Sequence, residues 1–318
     1  MEFPGFLGNE QLKCNLSAAV DRQRAAHFYL LSGPEGSGKR TLARLLTAAL
    51  LCRSEGAKPC GICNQCRKAL NNQHPDLITV DDTEHKNIPV KLVRSAREDL
   101  FIRPNEGNRK IYYVPKAQNL NLEGQNALLK VLEEPPAYGV FLLLTDNPDK
   151  LLPTVRSRCV ELKLQPLPVD VVERELQKEF PDSTQETRVA AANRSGGWLG
   201  QAKTLMQEGG GWYPQTIEFV ESYCTKNHQR LLRLLVPMEK MKREQVAPIL
   251  SQWRDLLSSA LTCRAGLPPM DPFSRQLAMG RTSKDLTHGV ETLQKSLEYL
   301  QGNISVGAIC GNLVWQLR

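Results

Sequence analysis

The fold is decided by the stretch Gly33-Pro34-Glu35-Gly36-Ser37-Gly38-Lys39-Arg40-Thr41. A short apolar run over residues 27–32 precedes it, and an apolar helical pattern over residues 40–51 follows it. Strand, glycine-rich turn and helix in this order are the setting in which such a stretch forms a P-loop. Backbone N–H groups of the turn and of the helix N-terminus would then surround a phosphate, and glycines let the backbone approach it closely.

The loop departs from the usual pattern directly after Lys39. A P-loop has Ser or Thr there to hold Mg²⁺, whereas this chain has Arg40. Thr41 comes one residue late, about 100° further round the helix. Two interpretations stay open: a loop that still binds ATP or ADP, and a glycine turn that no longer binds nucleotide. The candidate residues for nucleotide phosphates are Gly33, Gly36, Gly38, Lys39 and Thr41.

The strand that should carry the acids needed for hydrolysis has none. The segment Lys110–Gln118 contains an apolar run over residues 111–114, and Pro115 and Lys116 follow it. Phosphoryl transfer requires a positioned metal ion and an oriented water molecule, which aspartate and glutamate would supply at these two positions. We therefore expect that the chain does not hydrolyse ATP itself.

Four of the nine cysteines are clustered in a C-x7-C-x2-C-x2-C pattern. Thiolates at two-residue spacings can close around one tetrahedral Zn²⁺, and four sulfur ligands leave no open position for a substrate. We expect a structural zinc site in an insertion at about residues 52–66, and the alternative is incidental thiols or a redox pair. The candidate ligands are Cys52, Cys60, Cys63 and Cys66.

Apolar runs and helical patterns alternate up to about residue 164, which favours an α/β domain with a parallel sheet. From Pro166 onward the strands stop and helical patterns fill the chain, including a closing helix with apolar Ile309, Leu313 and Trp315. The glycine run 209–211 is typical of a linker. The expected segments are 1–164, 165–209 and 210–318.

The formal charge of +7 and the pI near 8.9 permit contact with nucleic acid or an acidic partner without requiring it. The N-terminus has no secretory pattern and no apolar run reaches membrane-spanning length, so we expect a cytoplasmic protein without membrane contact. Some basic residues fit either a DNA-facing surface or ordinary solvated charge. These residues are Arg94, Arg97, Arg103, Arg109 and Lys110.

Two further stretches, Asn126-Ala127-Leu128-Leu129-Lys130-Val131-Leu132-Glu133-Glu134-Pro135-Pro136 and Arg156-Ser157-Arg158-Cys159, complete a pattern with the P-loop and the cysteine insertion. In this order and spacing, the chain resembles the bacterial clamp-loader subunits, AAA+ relatives of the DNA polymerase III holoenzyme. The resemblance covers residues 1–205 well and the remainder weakly. It implies an AAA+ P-loop domain over 1–164, a small helical lid over 165–209, and an all-α C-terminal collar for oligomerisation over 210–318.

The resemblance also distinguishes two kinds of subunit. The motor subunits, gamma or tau, have an acid pair on the strand, Ser or Thr after the P-loop lysine, and a nucleotide-sensing arginine in the lid. This chain has Pro115-Lys116, Arg40 and Gly200-Gln201 at these places. It therefore looks like the delta prime type, in which these features are commonly incomplete.

The function implied by the resemblance is help in loading the sliding clamp onto primed DNA during replication. Arg158 would act in trans as an arginine finger on ATP bound to a neighbouring motor subunit. Implied partners are gamma or tau and delta subunits in a hetero-pentamer, and through this complex the sliding clamp and primed DNA. The chain would be a component of a DNA polymerase holoenzyme without ATPase activity of its own.

Two alternatives stay open. One is an ATP-hydrolysing motor subunit of the gamma/tau type, which Arg40, Pro115 and Lys116 disfavour. The other is a freestanding protein that binds zinc and DNA. An ATPase assay on the isolated chain separates the first from the delta prime type, and failure to join motor subunits would favour the second.

Overall fold

The computed structural model describes residues 1–82, 87–207, 212–267, 271–302 and 304–317. The chain divides into two compact units. One comprises Met1–Val172 with Ser195–Ala202, and the other comprises Glu173–Arg194 with Lys203–Arg318.

The first unit is built on one parallel sheet. Its strand order is β2-β3-β4-β1-β5, and every pairing is parallel. Because all strands run the same way, their carboxyl ends gather at one edge, where ligands bind in open α/β sheets. The strands are β1 (Phe28–Ser32), β2 (Leu77–Thr79), β3 (Lys110–Val114), β4 (Gly139–Thr145) and β5 (Val160–Lys163).

Helices cover both faces of the sheet, which explains why β1 and β4 are buried at every residue. Tyr29 and Leu31 join one apolar core, and Phe28 and Leu30, on the opposite face, join another. This is the alternation of side chains along a strand. The helices up to the end of the sheet are α1 (Glu10–Asp21), α2 (Lys39–Leu51), α3 (Asn64–Leu70), α4 (Val90–Asp99), α5 (Leu122–Glu133) and α6 (Pro153–Arg156).

Helix α3 lies inside the cysteine-rich segment, where the sequence predicts only an insertion outside the core. Cys66 and Ala69 on this helix are fully buried, and Ala69 joins the same apolar core as helix α2. The insertion is therefore anchored to the domain by packing as well as by its cysteines.

After the sheet the described residues are helical, as predicted. A buried cluster in the second unit surrounds Trp253, whose ring stacks on Phe219 with centroids 4.2 Å apart. The indole Nε1 donates to Thr216 Oγ1 at 3.1 Å, which satisfies its polar edge. The helices are α7 (Val169–Glu179), α8 (Gln185–Arg194), α9 (Leu199–Gln207), α10 (Pro214–Cys224), α11 (His228–Met238), α12 (Arg243–Arg264), α13 (Pro272–Gly280), α14 (Ser283–Gln301) and α15 (Val306–Gln316).

Helix α15 is the predicted closing helix, and its three named apolar residues differ in burial. Ile309 and Leu313 are buried, whereas Trp315 is 64% exposed. Trp315 lies two positions after Leu313, and residues two apart on a helix do not share a face. None of the described helices is long and apolar enough to cross a membrane.

The predicted α/β class, a P-loop and parallel sheet followed by a helical C-terminal part, is confirmed. The glycine run 209–211 falls outside the described residues. The three-segment division at 164 and 209 stays a prediction.

Candidate functional site

The P-loop has the predicted backbone form. Gly36 and Gly38 have φ of 76° and 93°, in the left-handed region that glycine adopts without strain. Helix α2 begins at Lys39 directly after Gly38. The loop follows β1, so the N-terminus of α2 lies at the carboxyl edge of the sheet, where phosphates bind in such folds.

Lys39 is buried beneath its own loop, with 8% of its surface exposed. Its ammonium donates to the carbonyl oxygens of Gly33 and Pro34, at 2.5 and 2.8 Å, and to Asp146 Oδ1 at 2.6 Å. Asp146 is an important residue of this site that the sequence does not predict. It directly follows β4, the strand that pairs with β1, and this placement brings its carboxylate to the loop.

The residues at which the sequence departs from the usual P-loop pattern lie at the start of α2 and after β3. Arg40 is exposed on the outer side of α2, and Thr41 beside it is partly buried. At the end of β3, Lys116 is exposed. Gln118, two residues further on, donates through Nε2 to Asp146 Oδ2 at 3.1 Å. The edge of the sheet thus holds an acid after β4 and none directly after β3.

The segment of residues 195–202 also contacts the P-loop, through Gly200 and Gln201. Gly200 N donates to Gly36 O at 2.9 Å, and Gln201 Nε2 donates to Glu35 O at 2.7 Å. A side chain at Gly36 would bring its Cβ within 2.5 Å of the Gln201 backbone nitrogen, so glycine is required there for packing as well as for its φ. Gly200-Gln201 therefore fixes the loop, at the place where the resemblance expects an arginine in motor subunits.

Arg158 lies on the exposed turn after helix α6. Its guanidinium donates to Thr154 O at 3.1 Å and forms an ion pair with Glu133 at 3.6 Å, and 40% of the side chain is exposed. The flanking residues hold the turn, because Ser157 Oγ donates to Thr154 O and Cys159 Sγ donates to Val155 O, both at 3.2 Å. Burial raises the pKa of the Cys159 thiol to about 12, so it is a packed thiol.

The four clustered cysteines meet in space. The sulfur atoms of Cys52, Cys60, Cys63 and Cys66 all lie within 4.8 Å of one another, and the Cys60 and Cys66 sulfurs are 3.9 Å apart. Zn–S bonds of about 2.3 Å in a tetrahedron place the sulfurs about 3.8 Å apart. The described geometry therefore fits one tetrahedrally coordinated metal ion.

Backbone N–H groups point at the sulfurs. Cys60 Sγ accepts from Cys63 N, Cys63 Sγ accepts from Cys66 N, and Cys52 Sγ accepts from Ser54 N, each at 3.4 Å. Donors aimed at sulfur stabilise the thiolate, which is the form that binds a metal. The N–H of Cys63, with that of Ile62, lowers the pKa of Cys60 to about 6.

A buried polar network joins helix α3 to the sheet, and the sequence does not predict it. His74 Nδ1 accepts from Asp76 N at 3.0 Å, so the other ring nitrogen donates to the Gln65 side-chain oxygen. Burial lowers the pKa of His74. Gln65 is next to the candidate metal ligand Cys66, so the network ties the cysteine module to the start of strand β2.

Asp76 organises the loop before β3. Its carboxylate, which is fully buried, accepts from the backbone N–H groups of Asn105, Glu106 and Gly107 at 2.5, 2.8 and 2.6 Å. Burial alone would raise its pKa, but these donors outweigh burial and the pKa is lowered. Asp76 is therefore a charged structural anchor.

Lys110, one of the basic residues that fit either a DNA-facing surface or ordinary solvated charge, is buried. Lys110 is 2% exposed, and its ammonium contacts Asp99 Oδ2 and Asp99 O, both at 2.9 Å, and Ile102 O at 3.3 Å. It caps the carboxyl end of helix α4, where carbonyl oxygens and the helix dipole favour a positive charge. Lys110 is thus unavailable to a nucleic acid.

Comparisons with known proteins show that the chain is similar to subunits of DNA polymerase III. The family model described as "DNA polymerase III, delta subunit" matches residues 8–168. DNA polymerase III subunit delta' of Pseudomonas aeruginosa is 31% identical over 307 residues, with 93% of this chain and 85% of that protein covered. The chain belongs to the DNA polymerase III delta' subunit family.

Other relatives agree with this assignment. Subunit delta' of Bacillus subtilis is 27% identical, with 94% of this chain and 93% of that protein covered. DNA polymerase III subunit tau of Salmonella typhimurium is 36% identical over 176 residues, but the match covers 55% of this chain and 27% of tau. The chain spans less than a third of the tau and gamma/tau relatives that it matches, whereas it aligns with delta' subunits along most of its length.

Proposed function

We propose that this chain is a clamp-loader subunit of the delta' type, which helps to load the sliding clamp onto primed DNA during replication. Its partners are gamma or tau and delta subunits in a hetero-pentamer, and it meets the clamp and DNA through that complex. The proposal is supported by alignment with delta' subunits over more than nine-tenths of the chain. The helices after residue 210 are then a collar that joins the subunits.

The observation that carries the proposal is the combination of a P-loop with an acid-free strand. β3 ends at Val114, and Pro115 and exposed Lys116 follow where a metal ligand and a base would be needed. Arg40 replaces the hydroxyl that would hold Mg²⁺. These three departures support a subunit that does not hydrolyse ATP.

Arg158 is the residue by which such a subunit contributes to hydrolysis elsewhere. We place it as an arginine finger acting on ATP in a neighbouring motor subunit. A guanidinium fork neutralises the charge that develops on the phosphate oxygens, and such a finger accelerates hydrolysis by about 10³–10⁵ in well-characterised cases. Support comes from the exposed position of Arg158 on a turn held by Ser157 and Cys159.

The metal at the four cysteines is proposed to be a structural Zn²⁺. Four sulfur ligands suit zinc, and a four-coordinate site leaves no position for a substrate. Cys52 and Cys66 are buried while Cys60 and Cys63 are partly exposed, so the ion would join the outer loop to helix α3. When bound, it supplies cross-linking between these segments; the chain's own N–H donors orient the sulfurs.

Reconstitution with gamma or tau and delta subunits tests the proposal. We expect a hetero-pentamer by size-exclusion chromatography, clamp loading that depends on this chain, and no ATP turnover by the chain alone. ATP hydrolysis by the isolated chain would favour the motor type instead. Failure to join the other subunits would favour a freestanding zinc- and DNA-binding protein.

A further inference from the structure

The ammonium of Lys39 is fully engaged by the protein itself. A lysine has three N–H donors, and here Gly33 O, Pro34 O and Asp146 Oδ1 accept one each, at 2.5, 2.8 and 2.6 Å. The Lys39 side chain is 9% exposed, so its ammonium has little direct access to water. A phosphate could reach the ammonium only by replacing one of these acceptors.

Asp146 is the acceptor that most resembles a phosphate. It is the single anion among the three, so it adds the attraction between opposite charges to its hydrogen bond with the ammonium. Its second oxygen is held by Gln118 Nε2 at 3.1 Å, which keeps the carboxylate aimed at the loop. A polyphosphate bound at the loop would lack the attraction of the Lys39 ammonium and would be repelled by the negative charge of Asp146.

The remainder of the loop keeps the features of a phosphate site. Gly36 and Gly38 have left-handed φ, and the N-terminus of α2 follows directly. Helix N-termini favour anions because their first N–H groups have no partner within the helix. In addition, the buried Ser37 Oγ has no hydrogen-bond partner among the residues that the structure describes.

We propose that Asp146 occupies the Lys39 ammonium in place of a phosphate and thereby lowers the affinity of a latent polyphosphate site in this P-loop. The ligand class is the polyphosphate end of a nucleoside di- or triphosphate. The loop is then a rigid, self-liganded element in the resting chain, and Asp146 determines whether nucleotide enters. This concerns binding by the chain alone, so it does not depend on the clamp-loader role or on Arg158.

Titration of the purified full chain with ATP, in magnesium-containing buffer and followed by calorimetry, tests the proposal. Asp146→Asn removes the charge and nearly preserves the shape, and we expect its Kd for ATP to be at least about tenfold lower than that of the wild-type chain. Asp146 is 47% exposed, so the fold should tolerate the change. Asp146→Ser provides a second variant if the asparagine still holds Lys39.

Two further variants make the result specific. Asp149→Asn is the matched control, because it also removes one negative charge and lies three residues after Asp146. The Asp149 side chain is 85% exposed and pairs with Arg156. It should bind ATP as the wild-type chain does. The double variant Lys39→Met, Asp146→Asn should not show the increased affinity for ATP.

Three outcomes would overturn the proposal. Both Asp146 variants could bind ATP no better than the wild-type chain, Asp149→Asn could gain as much, or the gain could survive the loss of Lys39. Circular dichroism of each variant establishes that it is folded before the affinities are compared.

Discussion

Arg158 Nη2 lies 3.6 Å from Glu133 Oε1, at the end of helix α5. The ion pair joins two stretches that carry the family resemblance, residues 126–136 and 156–159. Both side chains are well exposed, at 40% and 60%, and exposed pairs of this kind contribute about 0–1 kcal/mol. The pair with Glu133 is therefore weak enough for Arg158 to leave it, as the proposed arginine-finger role requires.

Arg158→Ala should lower the ATPase rate of the reconstituted loader by at least about tenfold, while this subunit stays folded and assembled. The physical reason is loss of a positive charge from a neighbour's transition state. Steady-state ATPase and clamp-loading assays measure the effect. Arg158→Lys should restore little, because an ammonium lacks the planar fork of the guanidinium.

Arg156→Ala is the matched control for Arg158. Arg156 lies in the same stretch, but its guanidinium pairs with Asp149 at 2.9 Å. The loader should keep most of its ATPase activity with this variant. Equal losses for Arg156→Ala and Arg158→Ala, or no loss for Arg158→Ala, would remove Arg158 from the mechanism.

Lys39→Ala should affect stability more than turnover. If the loop has no part in hydrolysis, the reconstituted loader should keep its ATPase rate within about twofold. Loss of a partly buried ion pair and of two hydrogen bonds to carbonyl oxygens should lower the unfolding free energy of the chain by about 1–3 kcal/mol. Thermal unfolding and loader ATPase assays measure the two effects, and a large fall in ATPase would contradict the interpretation of Pro115 and Lys116.

Cys63→Ser should remove most of the bound zinc. We expect about one zinc per chain in the wild-type protein by mass spectrometry of the metal, and far less in the variant, since oxygen is a poorer zinc ligand here than thiolate. Loss of the ion should also increase proteolysis within residues 52–75. Cys14→Ser, at an exposed cysteine outside the cluster, should keep its zinc. Wild-type protein with far less than one zinc per chain would exclude this site.

The sequence predicted features that depend on neighbours along the chain. The P-loop, the buried strands and the cysteine spacing each lie within one short segment, so their residue types indicate the local structure. The partner of Lys39 could not be predicted in this way, because Asp146 is 107 positions away and reaches it only through the pairing of β1 with β4. Strand order is a property of the whole sheet and is not encoded in a local pattern.

Lys110 shows the same limit for charge. In the sequence it belongs to a set of basic residues, and nothing nearby distinguishes it from the exposed members. In the structure it is buried because the end of helix α4 presents the Asp99 carboxylate and two carbonyl oxygens to it. The role of a basic residue is thus decided by which helix end the fold places beside it.

Asp76→Asn should destabilise the first unit and change its response to acid. The buried carboxylate accepts three backbone N–H groups, and an amide in its place presents one acceptor and a donor that has no acceptor to meet. We expect a loss of about 2–4 kcal/mol at neutral pH, measured by denaturant unfolding. Asp149→Asn, at an exposed carboxylate, is the control and should change little.

The pH dependence follows from the direction of the pKa shifts. The pKa of Asp76 is lower in the folded chain than in the unfolded chain, so its contribution is present above about pH 4 and is lost as pH falls through the folded value. The pKa of His74 is also lowered, mainly by burial, so the folded state resists its protonation and stability declines as pH falls below about 6.5.

Wild-type and Asp149→Asn chains should therefore lose stability on acidification from pH 7 to pH 4 and more steeply below it. The Asp76→Asn chain should have a lower unfolding free energy at pH 7 and should lose less of it below pH 4, because its unfolded state has one fewer carboxylate to protonate. Parallel curves for Asp76→Asn and the control below pH 4 would show that Asp76 is not the group responsible.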